Sequence, residues 1–260
     1  MTPSLSTARE AQALLGRHLP VSRLVPAPSL SAKAGGDVYL KMESDLPTGS
    51  FKPRGALYAL SVNAARRPVR EVTASSTGNH GAAVAFAAKL LGVPATIFLP
   101  ASPNVVKRDR IASLGARIVE AGDQDLAAAF ERASEYSRAD GVYFLNDATD
   151  PDLPAGPATI ALEIVAQLPA VDTIVVPMGD TALVRGVAAA AKQLLPNVRV
   201  VGVQAERAPS YFLSWKDGRA TTTPTSCSRG RAATATTPRC RSKPTIAATT
   251  SAVPTSTVGD

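Results

Sequence analysis

The sequence predicts an α/β protein built from open, mostly parallel sheets flanked by helices. Strand-like and helix-like patterns alternate between residues 71 and 204, and such alternation implies parallel pairing in a doubly wound sheet. Apolar residues make up 45% of the 260 residues. Alanine, valine and leucine dominate while aromatic residues reach only 5%, a composition that suits packed layers. This length allows one large domain or two small ones.

Proline and glycine residues set the bounds of several predicted elements. One helix follows Pro53, a second ends at Gly92 and a third ends at Gly115, because proline suits the first helical turn and glycine suits the residue after the last. The predicted helices are residues 7–19, 54–65, 79–91, 104–114, 123–138, 158–167 and 182–195. The predicted strands are residues 37–42, 71–75, 94–99, 117–120, 142–145, 173–177 and 198–204.

The composition changes abruptly after Trp215. Residues 221–260 contain twelve threonines and no leucine, and only Ile246, Val253 and Val258 are large and apolar. Such a segment cannot bury enough surface to offset the ordering of its backbone, so we predict that it is disordered or does not continue the fold. The abrupt onset would also suit a change of reading frame.

The charge and cysteine patterns argue against several classes of protein. The formal net charge is +7, of which +4 lies in residues 221–260, and the other charges of both signs are interspersed. The sequence has no basic face with interleaved aromatic residues, so we expect no nucleic-acid partner. Cys227 and Cys240 do not have zinc-site spacing, and we interpret them as incidental thiols.

The hydropathy pattern predicts a cytoplasmic protein without a membrane partner. The sequence has no run of 18 apolar residues, and residues 1–19 lack the apolar core of a signal peptide. We expect a small-molecule partner, and the formation of a homo-oligomer stays open.

The loop at residues 46–56 contains the first candidate functional residue, Lys52. This lysine follows the aromatic Phe51 and is held between the turn-forming Gly49 and Pro53. A lysine that is fixed in place and partly desolvated loses its proton more easily, and a neutral amine can form an imine with an aldehyde. Lys52 is therefore a candidate Schiff-base residue. A lysine with a buried stem at an ordinary turn is the alternative.

A carboxylate precedes this loop in the sequence. Glu43 follows the strand predicted at residues 37–42 and can orient or neutralise a cation near Lys52. A surface ion pair is the alternative interpretation of Glu43.

A second candidate site lies where the strand at residues 71–75 gives way to a helix. Its residues are Ser75, Ser76, Thr77, Gly78, Asn79, His80 and Gly81. Exposed backbone N–H groups and the positive end of a helix form an anion site, which would take a carboxylate or a phosphate. Simple N-capping by Ser76 or Thr77 is the alternative and needs no ligand.

A third candidate site follows the strand at residues 173–177. The amides of Gly179 to Ala182 and the hydroxyl of Thr181 can cradle a phosphate there. Asp180 is a poor neighbour for a phosphate unless its side chain points away and caps the helix. An ordinary capped turn is the alternative.

Taken together, these motifs resemble a known family. Residues 40–43 and 47–56, LKME and PTGSFKPRGA, resemble the cofactor-lysine signature of the threonine/serine dehydratases, which are fold-type II pyridoxal-phosphate enzymes. That family includes serine racemase and is related to cysteine synthase and to the tryptophan synthase β chain. Residues 76–80 resemble its asparagine loop, and residues 155–164 resemble its stretch after the small domain. The likeness covers roughly residues 10–215.

The resemblance implies a two-domain fold. The large cofactor-binding domain would comprise residues 1–54 and 149–220, the small α/β domain would comprise residues 55–148, and residues 221–260 would form a low-complexity tail. Members of the family continue past Trp215. We therefore expect the large domain to be incomplete and to lack the residue that faces the pyridine nitrogen.

The resemblance also implies a pyridoxal 5′-phosphate cofactor and a role for each motif. Lys52 would bind the cofactor through its amine and later act as the base at the substrate Cα. Phe51 would lie against the pyridine ring, and Asn79 would hydrogen-bond the ring hydroxyl. The substrate carboxylate would lie on the loop formed by Ser76, Thr77, Gly78, Asn79 and His80. The phosphate loop would be formed by Gly179, Asp180, Thr181, Ala182 and Leu183.

The resemblance implies no bound metal ion. Glu206 matches one ligand of the divalent-cation site of the racemase branch, but Phe212 stands at the second carboxylate position.

The activity implied by the resemblance is α,β-elimination, which converts L-threonine or L-serine into a 2-keto acid and ammonia. One departure bears on it, because the family's run of glycines is reduced here to Gly179 before Asp180, which weakens the expected affinity for phosphate. Thr77 stands where racemising members carry a serine, so racemisation is a candidate side activity. A catalytically silent remnant and a β-replacement enzyme of the cysteine synthase type stay open as alternatives.

Overall fold

The described part of the chain is organised by two sheets, one of six strands and one of four. The computed structural model describes residues 2–76, 78–122, 126–206, 208–221, 223, 232–234 and 246–249. The helices are α1 (Leu5–Leu15), α2 (Pro28–Ala34), α3 (Lys52–Arg66), α4 (Asn79–Leu91), α5 (Val105–Ser113), α6 (Leu126–Tyr136), α7 (Ala155–Gln167), α8 (Ala182–Leu194) and α9 (Ser210–Asp217). The strands are β1 (Leu24–Pro26), β2 (Val38–Lys41), β3 (Glu71–Ser75), β4 (Ala95–Leu99), β5 (Arg117–Glu120), β6 (Val142–Phe144), β7 (Thr173–Pro177), β8 (Arg199–Ala205), β9 (Ala232–Thr234) and β10 (Ile246–Thr249).

The four-stranded sheet is parallel throughout, with strand order β5-β4-β3-β6. Helices connect its successive strands, which is the crossover that parallel pairing requires. Strand β4 is buried along its whole length, as expected when helices cover both faces of a sheet. The carboxyl ends of β3 and β6 lie at the same edge of this sheet.

The six-stranded sheet has the order β1-β2-β10-β7-β8-β9. Its four central strands are parallel, and β1 and β9 add antiparallel edges. The predicted α/β class, with mostly parallel sheets flanked by helices, is confirmed.

Two segments of the threonine-rich tail belong to this larger sheet, which corrects the expectation that they are disordered. Strand β10 pairs with β2 on one side and β7 on the other, and β9 pairs with β8. A strand between two others satisfies its backbone N–H and C=O groups without burying large side chains, so the scarcity of large apolar residues does not prevent pairing. The rest of the tail lies outside the described residues, apart from residues 221 and 223, and so do Cys227 and Cys240.

Helix α3 is the element that joins the parts of the molecule around the candidate site. It packs against α4 on one side and against α7 on the other. The approach to α7 is close, because a Cβ atom added at Gly156 would lie 2.2 Å from the carbonyl oxygen of Arg54. Helix α3 runs through the predicted domain boundary between residues 54 and 55. The division of the chain into two domains stays a prediction.

Two large apolar cores support these layers, and a smaller third cluster forms where Phe98 of β4 packs with Ala129 and Ala133 of α6. The first lies among α3, α4 and the four-stranded sheet, and the second lies among α7, α8 and β7. No helix in the described ranges combines the length and the hydropathy that crossing a membrane requires.

Candidate active site

Lys52 is the first residue of helix α3, two residues before the predicted start of that helix. Pro53 presets the backbone for the first helical turn, and Gly49 adopts φ 61° in the loop that leads to it, a left-handed conformation that favours glycine. The Lys52 ammonium lies 5.4 Å from the centroid of the Phe51 ring. The loop therefore fixes the lysine stem beside an aromatic face.

Two carboxylates bind the Lys52 ammonium. Its Nζ atom donates a hydrogen bond to Oδ2 of Asp147 at 2.7 Å and a second hydrogen bond to Oδ2 of Asp180. Asp147 follows β6 of the small sheet, and Asp180 follows β7 of the large sheet. The Lys52 side chain is only 13% exposed. Lys52 thus lies between the carboxyl ends of strands from both sheets, where open α/β sheets bind their ligands.

The electrostatic environment of Lys52 differs from the sequence-based expectation. Burial favours the neutral amine, but the charges of Asp147 and Asp180 outweigh burial and raise the pKa of Lys52 above its ordinary value. The prediction that desolvation makes Lys52 lose its proton easily is therefore wrong for this arrangement. The local sequence indicates burial of Lys52, whereas its contacts with Asp147 and Asp180 join residues that are distant along the chain.

The two carboxylates themselves have different proton affinities. Burial favours the neutral acid at Asp147, but His80 and Lys52 stabilise its charge, so that the pKa of Asp147 lies well below its usual range. At Asp180, burial and the hydrogen bond with Asp147 raise the pKa above its ordinary value.

His80 forms the wall of the site on the side of α4. Its imidazole is almost fully buried, and Nε2 lies 2.9 Å from the carbonyl oxygen of Leu145. Because a carbonyl only accepts, Nε2 carries a proton, and Nδ1 lies 3.7 Å from Oδ2 of Asp147. Nδ1 has no hydrogen-bond partner within the described residues, and the same holds for the buried hydroxyl of Ser75.

The loop before α4 is arranged as a turn rather than as a simple helix cap. The hydroxyl of Ser76 accepts a hydrogen bond from the backbone N–H of Gly78 at 3.2 Å, and no side chain caps α4. Asn79 is the first residue of α4. The first-turn amides of α4 are thus uncapped by side chains within the described residues. Thr77, a predicted substrate-binding residue, lies outside the described residues.

The turn between β7 and α8 is also not an ordinary capped turn. Thr181 precedes α8 with φ 69°, and no side-chain hydrogen bond caps the helix in the described structure. The Asp180 side chain binds Lys52 instead of capping the helix. Ala182 and Leu183 form the buried first turn of α8. The first-turn amides of α8 therefore have no side-chain acceptor within the described residues.

Glu43 neutralises a cation near Lys52, as one of the two sequence-based interpretations predicts, and it does not form the surface ion pair of the alternative. It is fully buried, and it pairs with Arg54 at 2.8 Å rather than with Lys52. Arg54 also binds Glu163 at 2.6 Å, and Glu163 binds the buried Lys41 at 2.6 Å. These four charges balance, and we call them the buried quartet. The quartet anchors the start of α3 two residues after Lys52.

The structure brings Phe51, Lys52, His80 and Asp180 together as the sequence analysis predicts, with Gly179 to Leu183 forming the adjacent turn. Asp147 was missed. Its position directly after a predicted strand could have identified it, because the carboxyl ends of parallel strands share one edge of the sheet.

The chain is similar to known proteins over most of its length. The family model described as pyridoxal-phosphate dependent enzyme matches residues 17–256. L-threonine ammonia-lyase of Thermotoga maritima is 39% identical over 217 residues, which cover 84% of this chain and 54% of that protein. L-threonine ammonia-lyase of Geobacter sulfurreducens is 36% identical over 214 residues, which cover 81% of this chain and 52% of that protein. The chain thus spans about half the length of these curated relatives.

Solved structures show the same fold. Maize serine racemase superposes with a TM-score of 0.82 at 28% identity, covering 86% of this chain and 68% of the racemase. Threonine deaminase isoform 2 from Solanum lycopersicum superposes with a TM-score of 0.78 at 31% identity, covering 83% of this chain and 59% of the deaminase. The match of the family model and the identity to these relatives lead to one conclusion: this chain belongs to the family of pyridoxal-phosphate-dependent enzymes.

Proposed function

We propose that this chain is a pyridoxal-phosphate-dependent ammonia-lyase that acts on L-threonine or L-serine. The observation that carries the proposal is the Lys52 amine, which lies beside Phe51 between the strand ends of two sheets. Two L-threonine ammonia-lyases are among the relatives, and their names supply the reaction class.

The residues of the site fit the reactive end of the cofactor. Lys52 offers an amine for the aldehyde, and the Phe51 ring offers an apolar face for an aromatic ring. The buried Nδ1 of His80 and the buried Ser75 hydroxyl have no hydrogen-bond partner among the described residues. Since buried polar groups are usually hydrogen-bonded, a polar ligand at this site would explain them. The uncapped first turn of α8 would hold the phosphate, and Asp180 opposes it.

We assign the proton transfer to Lys52. When bound, the cofactor withdraws electrons from the substrate Cα and makes its proton removable. The neutral Nζ of Lys52 accepts that proton, and Asp147 stabilises the ammonium that results. The proton taken from Cα then passes to the β-hydroxyl, which leaves as water, and hydrolysis of the remaining C–N bond gives a 2-keto acid and ammonia.

We assign substrate orientation to the loop before α4. The helix N-terminus and the uncapped amides near Asn79 would bind the substrate carboxylate. Holding the carboxylate fixes which Cα bond faces the electron-withdrawing ring. In this proposal Ser76 shapes the turn through its hydrogen bond to Gly78.

Visible absorbance of the purified protein tests the proposal. A cofactor bound through a lysine absorbs at about 410–430 nm, and Lys52→Ala should abolish this band together with 2-keto acid release from L-threonine. Lys89→Ala is the matched control, because Lys89 is an exposed lysine on α4 and should leave both signals unchanged. A protein that stays colourless with added pyridoxal phosphate would show the proposal to be wrong.

A second candidate function is cofactor binding without turnover. The contact of Asp180 with the proposed reactive amine favours it, because that contact holds Lys52 in its protonated form. A visible band without release of a 2-keto acid from L-threonine or L-serine would support this second function over the first.

A further inference from the structure

We propose that Asp180 is a specificity-determining residue that reduces the preference of this site for phosphorylated over unphosphorylated pyridoxal. This inference rests on the proposed function, in which Lys52 captures the aldehyde. It concerns a residue of this chain that stands in the proposed phosphate turn and also binds the proposed reactive amine.

The position of Asp180 places a negative charge where a phosphate would bind. The residue lies in the turn before α8, one residue before Thr181, the residue that directly precedes the helix. An aspartate at such a turn ordinarily caps the helix, but this side chain is directed at Lys52. Its carboxylate therefore contacts Lys52 from within the turn whose amides would bind the phosphate.

Within the described residues, Asp180 shares the cation that it contacts with a second carboxylate. Lys52 on α3 faces two carboxylates, because Asp147 also binds it after β6. His80 on α4 lies against Asp147. On α8 itself, a guanidinium N–H of Arg185 donates to the carbonyl oxygen of Ala148 at 3.0 Å. Of the two cations, Lys52 is shared by both carboxylates and Arg185 is directed to a backbone carbonyl.

Two unfavourable free-energy terms oppose capture of an aldehyde by Lys52. The first applies to pyridoxal and to pyridoxal phosphate alike, and the second applies only to the phosphorylated ligand. The lone pair of neutral Lys52 Nζ attacks the aldehyde carbon, a C=N bond replaces the C=O bond, and the oxygen leaves as water. The contact between Lys52 and Asp180 must break for either aldehyde. A phosphate monoester adds a charge of about −1.5 to −2 near the Asp180 carboxylate, and unphosphorylated pyridoxal does not.

The expected effect is a change in the ratio of two dissociation constants. Spectroscopic titrations with pyridoxal and with pyridoxal phosphate give this ratio for the wild-type protein and for Asp180→Asn and Asp180→Gly. Removal of the carboxylate should shift the ratio at least about tenfold towards pyridoxal phosphate, since like charges at this range repel strongly. Asp147→Asn is the comparison variant, because it removes a carboxylate from the same lysine at a residue that lies outside the phosphate turn. It should change both constants by the same factor.

Borohydride reduction followed by peptide mapping separates the two ways in which the idea can fail. Trapping at Lys52 with a ratio within about twofold of wild type in both Asp180 variants would overturn the role of Asp180 alone. The absence of trapping at Lys52 in every variant would overturn the proposed function and this inference with it.

A measurement on the wild-type protein covers the case in which a variant does not fold. A ligand that binds only the native state raises the unfolding temperature. If Asp180 weakens phosphate binding at the turn, about 50 mM inorganic phosphate should raise the unfolding temperature no more than chloride of equal ionic strength does. A specific rise with phosphate would show that the turn binds the anion despite Asp180 and would overturn the proposal.

Discussion

The buried quartet gives the sharpest test of how the start of α3 is held. Glu43→Gln keeps the size of the side chain but removes one negative charge from a region where Glu43 and Arg54 are almost fully inaccessible. Glu43 accepts hydrogen bonds from Arg54 Nε at 2.8 Å, from Arg54 Nη2 at 3.0 Å and from the Ser22 hydroxyl at 2.6 Å. An amide would replace one of these acceptors with a donor. The change would also leave Lys41 and Arg54 with one carboxylate between them.

The loss of one partner from a buried ion pair costs about 3–5 kcal/mol, because the remaining charge is buried without compensation. Total stabilities are about 5–15 kcal/mol, so Glu43→Gln should remove a large part of the free energy of unfolding. With a slope of about 3 kcal/mol per molar urea, a loss of about 4 kcal/mol moves the unfolding midpoint by about 1.3 M. Circular dichroism during urea titration measures this shift.

The same short turn supplies the control. Asp45 lies two residues after Glu43 and pairs with Arg23, whose side chain is 67% exposed. Exposed pairs contribute little, so Asp45→Asn should leave the midpoint unchanged within error. Equal midpoint shifts in the two variants would refute the reasoning that burial of the charges decides the effect.

Three further predictions concern residues around the site. Thr181→Gly should raise the melting temperature by about 2–4 °C, because the left-handed backbone at φ 69° destabilises the folded state by about 1 kcal/mol when the residue is β-branched. An unchanged or lower melting temperature would contradict this. Aldehyde capture by Lys52 should become faster as pH rises, because the raised pKa of Lys52 keeps the amine protonated at neutral pH. Asp147→Asn lowers that pKa, so the curve of capture rate against pH should move to lower pH. A curve that stays in place would count against the ion pair. Gly156→Ala should destabilise the protein by about 3 kcal/mol in urea titration, because the added Cβ would lie 2.2 Å from the carbonyl oxygen of Arg54. A variant as stable as the wild type would show that α3 and α7 can move apart without loss of stability.

The elements with clear local patterns were predicted well. Each of β3 to β8 lies within one residue of its predicted range, because alternating or continuous apolar runs bounded by glycine and proline are local signals. Helix α2 and strand β1 have no such periodicity and were missed. Strand β10 was missed for a different reason, since its place between β2 and β7 depends on pairing with distant residues.

The sequence singles out several residues that the structure brings together, but it does not predict the electrostatics around Lys52. The sequence places Lys52, His80 and Asp180 after or between strands, so their convergence follows from the fold class. The partners of Lys52 are 95 and 128 residues away along the chain, and no local pattern reports such contacts. The shift in the Lys52 pKa was therefore predicted in the wrong direction, because the local sequence indicates burial but not which distant carboxylates contact the amine.

The central position of β10 has a consequence for synthesis on the ribosome. About two hundred residues separate the end of β2 from β10, and translation at about 5–20 residues per second needs about 10–40 s to cover them. During that interval, β2 and β7 of the nascent chain each present unpaired backbone groups to whatever approaches. Until β10 is made, the growing polypeptide therefore exposes strand edges with which chaperones or other nascent chains can pair.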